Sequence, residues 1–131
     1  MRVAAFPPQS SSSSRYSAGK GPYLITSPYT EPEHQLDLGT LDNENALLAE
    51  AFIHLRCVSD DYATAPYQQS FNWDEVMDIL KVLARSRGFK ETSFFIVAFR
   101  SQVKSTDGYD QLGALDKAAH AEANASGGFL R

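Results

Sequence analysis

The chain has 131 residues, 43% of them hydrophobic and 21% charged, with a net charge of -4. That composition suits one ordinary globular domain and excludes collagen-like, disulfide-rich and wholly disordered classes. No apolar run approaches the roughly 18 residues of a membrane span, and an acidic chain has no overall attraction for phosphate backbones or anionic lipid, so neither membrane nor nucleic acid is an expected partner.

Residues 1–30 read as a disordered Ser/Pro-rich tail. They hold five consecutive serines (Ser10 to Ser14), four prolines and no acid. Such a segment buries too little apolar surface to offset its ordering entropy. Arg2, Arg15 and Lys20 are its only charges, so the rest of the chain holds nine bases against all 16 acids, a net -7. Met1–Phe6 is too short for the core of a secretory signal. Cys57 is the single cysteine, so no internal disulfide forms. These features point to the cytoplasm; a basic, acid-free leader leaves a mitochondrial destination as the minor alternative. Within the tail, Tyr23–Thr26 has the residues of an extended strand.

Residues 31–131 read as one α+β domain. A first helix is expected from about Asn43 to Ser59, capped by Thr40 or Asp42. Leu47, Leu48, Ala51, Phe52, Leu55 and Val58 give it one apolar face. After a loop with Pro66, a second helix runs from Trp73 to Arg87. Asn72 is its expected cap, Glu75 sits at the capping-box position, and Gly88 is its stop. Phe94–Phe99 lies inside a strand expected over about Thr92 to Val103. It is apolar at every position, the pattern of a strand covered on both faces near a sheet centre. A third helix, from about Asp110 to Ala125 with Asp110 as cap, ends at Gly127-Gly128. Phe129-Leu130-Arg131 then looks like a strand beginning. Strand, helix and apolar stub make a partial β-α-β unit. Few strands remain to flank Phe94–Phe99, so either the Tyr23–Thr26 segment pairs with it, or another chain does, or the sequence is truncated.

Candidate chemistry is sparse. Asp116, His120 and Asn124 share one helical stripe, and an acid four residues from a histidine suits acid–base work; a solvated helix face is the simpler reading. Arg100, at the strand end, can hold an anion bidentately or merely protect the strand. Trp73 can stack on a ligand or anchor its helix. Cys57 reads as a small buried hydrophobe. His34 lies in a Pro- and Glu-rich linker and His54 beside Arg56, with no spacing typical of a helical metal site, so neither metal nor cofactor is expected.

The segments Gln35-Leu36-Asp37-Leu38-Gly39, Ser70-Phe71-Asn72-Trp73-Asp74-Glu75-Val76, Phe99-Arg100-Ser101-Gln102, Leu115-Asp116-Lys117-Ala118-Ala119-His120-Ala121-Glu122-Ala123 and Ser126-Gly127-Gly128 resemble an uncharacterised fungal protein family. The likeness covers about residues 22–131. It carries no biochemical activity to transfer. It implies a ferredoxin-like domain of the dimeric α/β-barrel kind, with further strands and a helix beyond Arg131, and so a C-terminally truncated chain.

Two functions follow as expectations. One is an interaction module, or a truncated paralogue without catalysis, whose sheet is completed by a second copy or a protein partner. The other is a small-ligand-binding or oxygenase-like barrel enzyme, by analogy alone. Whether the chain is an enzyme stays open at the level of sequence.

Overall fold

A computed structural model describes residues 2–6, 21–99, 108–127 and 129–130. In chain order it contains β1 (Arg2–Phe6), β2 (Tyr23–Ile25), β3 (Gln35–Asp37), α1 (Asn43–Phe52), the one-turn α2 (Tyr67–Ser70), α3 (Trp73–Arg87), β4 (Phe95–Phe99) and α4 (Tyr109–Ser126). Short 3-10 turns at Pro32–His34 and Leu38–Thr40 flank β3. The class is α+β.

β2 and β3 form an antiparallel pair with Leu24 opposite Leu36. The Asp37 carboxylate fastens one end, accepting from the Gly21 N–H at 2.9 Å and the Gly39 N–H at 2.8 Å. Leu36 enters the core. Thus Tyr23–Ile25 is a strand, but its partner is Gln35–Asp37 rather than the apolar run at 94–99.

The core lies between α1 and α3. Asp42 caps α1, its side chain accepting from the Asn45 backbone N–H and carboxamide at 2.8 Å. Leu47, Leu48, Ala51 and Phe52 are buried, against Val76 and Leu80 of α3. Asn43, Glu50 and Glu44 tie the two helices at their ends. They bond the Gly88 carbonyl, the Arg87 guanidinium and the Lys90 N–H respectively.

α1 ends at Phe52, well short of Ser59. Its last turn tightens, with His54 N–H donating to Ala51 and Leu55 N–H to Phe52. The chain then extends and finds another partner. Cys57 pairs antiparallel with Phe71, and Val58 N–H donates to the Ser70 carbonyl at 2.9 Å. Leu55 still reaches the core, but Val58 and Cys57 are exposed. Cys57 is therefore not the buried small hydrophobe that helical spacing implies; its thiol donates to the Ser59 carbonyl at 2.9 Å.

α3 has the predicted bounds, and its C-cap Gly88 takes φ 74° with its N–H on the Ala84 carbonyl. Its N-terminus differs from expectation. The Asn72 side chain makes no cap bond. Its carboxamide instead accepts from Arg56 N–H at 2.7 Å and donates to the His54 carbonyl and to Glu75. The backbone bond from Asn72 N–H to the Arg56 carbonyl at 3.2 Å holds residues 54–56 beside the carboxamide.

β4 pairs antiparallel with β1, Phe95 opposite Phe6 and Phe99 opposite Arg2. That sheet has two strands among the described residues. Phe95 is 65% exposed and Ile96 40%. The apolar run is thus not a sheet centre covered on both faces, and residues 2–6, inside the stretch read as tail, form its neighbour.

α4 starts at Tyr109, with Gly108 rather than Asp110 at its N-cap, two residues before the expected cap, and no side-chain cap bond. Gly127, at φ 78°, ends it. Phe129 and Leu130 form no strand. Leu130 is fully buried in the helical core, which holds it by burial rather than by a sheet ladder.

Candidate functional site

The polar stripe of α4 meets the segment between β2 and β3. Three local devices shape that segment. Tyr29 N–H bonds the Ser27 hydroxyl, closing a tight turn. Pro32 opens the 3-10 turn with its fixed φ. His34 N–H returns to the Glu31 carbonyl at 2.9 Å. Together they turn His34 inward until it is 1% exposed.

On α4, steps of four residues put Asp116, His120 and Asn124 on one face. Each finds a partner on the segment. The Tyr29 hydroxyl donates to Asp116 Oδ2 at 2.6 Å. His34 Nδ1 and His120 Nδ1 are 3.0 Å apart. Asn124 Nδ2 donates to the Glu33 and Gln35 carbonyls at 3.0 and 2.9 Å. Lys117 pairs with Glu31 and lies 5.6 Å above the Tyr29 ring. The rings cluster as well: His34 and His120 centroids are 5.1 Å apart, and Phe129 meets His120 edge-on at 5.2 Å.

α4 therefore docks with its polar side. Its leucines face the other way, Leu112 and Leu115 both exposed. The inversion is physically consistent. Asp116, Lys117, Asn124 and the Nδ1 atom of His120 each have a hydrogen-bond partner on the segment, which offsets much of their desolvation.

The electrostatics are local. Lys117, by its hydrogen bond and charge, holds the Glu31 carboxyl below the usual carboxylate range, and Glu31 in turn raises Lys117. The histidine pair obeys a stricter rule. Two imidazole Nδ1 atoms at 3.0 Å share one proton: one ring donates N–H, the other offers a lone pair. Two doubly protonated rings would set N–H against N–H in a buried site, since His120 is 3% exposed.

Of the sequence candidates, the structure brings His120 and Asp116 into this cluster. It is neither a solvated helix face nor an open acid–base site, because both imidazoles are buried. Trp73 lies elsewhere. Its ring packs on Phe52, Tyr67 and Phe71 at centroid distances of 6.3, 5.2 and 6.0 Å, which anchors the start of α3. Arg100 lies outside the described residues. Among the described residues, no group of three or more His, Cys, Asp or Glu converges as a metal site would. A groove of about 550 Å³ runs along α3, lined by Glu75, Asp78, Ile79, Val82 and Leu83. The groove is largely open to solvent, and none of the candidates lines it.

Tyr29, His34 and Lys117 are the members that sequence reasoning missed. A histidine in a Pro- and Glu-rich stretch carries no periodicity. The one available signal was on α4: Asp116, His120 and Asn124 line up at four-residue steps on a helix otherwise rich in alanine.

A profile of the PB2B2.08-like family matches residues 25–131. The chain is 34% identical over 119 residues to the UPF0643 protein PB2B2.08 of Schizosaccharomyces pombe, an alignment covering 83% of this chain and 53% of that protein. The chain thus spans about half the length of this curated relative. No solved structure matches it. The chain belongs to the PB2B2.08-like family.

Proposed function

We propose, for this member of the PB2B2.08-like family, a non-enzymatic interaction module whose β1–β4 sheet is completed by a second copy of the chain. One observation carries the reading. β4 is apolar at all five positions, has one strand neighbour among the described residues, and leaves Phe95 and Ile96 exposed. A two-stranded sheet is marginal in water, and three or more strands are needed for independent stability. Joining two copies β4 to β4 about a twofold axis makes a continuous antiparallel sheet in the order β1–β4–β4–β1. It covers both apolar edges and closes the assembly.

Light scattering tests this. A concentration-dependent species at twice the 14.4 kDa chain mass is expected, and Ile96→Lys should abolish it while leaving the helical circular dichroism intact. A chain that stays monomeric to several hundred micromolar refutes the pairing. The ferredoxin-like ligand-binding or oxygenase-like reading has one observation in its favour, the groove along α3. It requires a ligand that raises the melting temperature and loses that effect in Val82→Glu.

A further inference from the structure

We propose that His34 and His120 form an acid-operated clasp that holds α4 on the β2–β3 segment and releases it on acidification. The geometry supplies both states. With one proton between the Nδ1 atoms, a hydrogen bond at 3.0 Å closes the contact between the Pro32–His34 turn and α4. When both rings are protonated, each Nδ1 carries a hydrogen and neither accepts. The bond becomes a repulsion between two cations that are almost wholly removed from water. Histidine is the side chain whose ordinary titration falls in the range a cell compartment can reach.

The other groups around the pair do not supply this switch. Tyr29 is neutral and donates to Asp116. Glu31 is lowered first by its hydrogen bond to Lys117, with the charge of His34 a lesser cause; it keeps its own charge through the relevant range, so its attraction for His34 is present in both states. Glu33 gives its backbone carbonyl to Asn124, and its carboxylate acts on Lys117. Phe129 brings an uncharged edge. Asp116 is the carboxylate one turn from His120 on α4; its negative charge favours protonation of either ring and so partly offsets the repulsion, but it restores no acceptor on either Nδ1 atom. The element released is defined by its contacts. α4 leans on this segment through Asp116, Lys117, His120 and Asn124, while its leucines already face solvent.

The test is native-state hydrogen exchange on the whole chain, with α4 amides compared to α3 amides after correction for intrinsic chemical rates. From about pH 7.5 to about pH 5, protection of α4 relative to α3 should fall about tenfold or more. A flat ratio in the wild-type chain overturns the clasp without recourse to any variant. The double variant His34→Gln/His120→Gln replaces the rings by non-titrating amides that donate and accept, and it should show no such fall. If it keeps the fall, while Asp116→Asn loses it, the carboxylate is the switch and the clasp is refuted.

Discussion

Asn124 offers the sharpest check on how α4 is docked. Its carboxamide nitrogen donates to the Gln35 carbonyl at 2.9 Å and the Glu33 carbonyl at 3.0 Å. Asn124→Ala removes both bonds. Each contributes about 0.5–1.5 kcal/mol net, and the Glu33 carbonyl is free to rehydrate, so a loss of about 1–2 kcal/mol is expected. Asn124→Asp is nearly isosteric but puts a carboxylate oxygen against two carbonyl oxygens. It also adds a negative charge in the last turn of α4, at the negative end of the helix, which by itself costs about 0.3–1 kcal/mol. Exposed Ala125→Asp, one residue on, measures that charge effect alone. After subtracting it, the Asp variant should still be less stable than the Ala variant by about 1 kcal/mol or more. Urea unfolding at neutral pH reads these differences as shifts in midpoint at constant slope. An Asp variant no worse than Ala after the correction would refute the two donor bonds, and with them the docking of α4 by its polar side.

The two faces of the helices should respond in opposite ways to truncation. Leu47→Ala, at a fully buried position between α1 and α3, should cost about 2–5 kcal/mol. Leu115→Ala, on a side chain 68% exposed, should change stability by no more than about 0.5 kcal/mol; comparable losses in the same urea assay would contradict the placement of α4. Stability should also fall in acid. Glu44 is held below its usual value near 4.5, first by the Lys90 N–H; Glu75 is lowered by Asn72 and Arg56, and Glu31 by Lys117. Below that value the unfolded chain binds more protons than the folded one. The stability these groups contribute is therefore present above it and lost as pH falls through their lower folded values. Glu44→Gln should flatten this acid limb in unfolding free energies measured from neutral pH downwards. Curves parallel to wild type would show that the Lys90 bond is not formed.

The helices illustrate where local sequence suffices. α3 begins at Trp73 and ends at Arg87 as its spacing indicates, because acids in the first turn, bases in the last and a glycine after it all favour the same register. Leu47, Leu48, Ala51 and Phe52 form the buried face of α1 for the same reason. Apolar periodicity is a property of neighbours three and four residues apart, and the chain carries it wherever it goes. The Asp116–His120–Asn124 stripe was legible in that sense too.

What the stripe meets was not. Whether α1 continues past Phe52 depends on residues 70–72, which offer its carbonyls and N–H groups another ladder. The partner of the apolar strand comes from residues 2–6, and the partner of His120 lies 86 positions away at His34. Contacts at such separations close long loops, and their cost and reward depend on the whole arrangement rather than on any local pattern. The sequence by itself determined the helical faces, the helix stops at Gly88 and Gly127, and the α+β class. Only the tertiary structure decided that α4 turns its polar side inward, because pairing of buried hydrogen-bonding groups is a relation between distant segments.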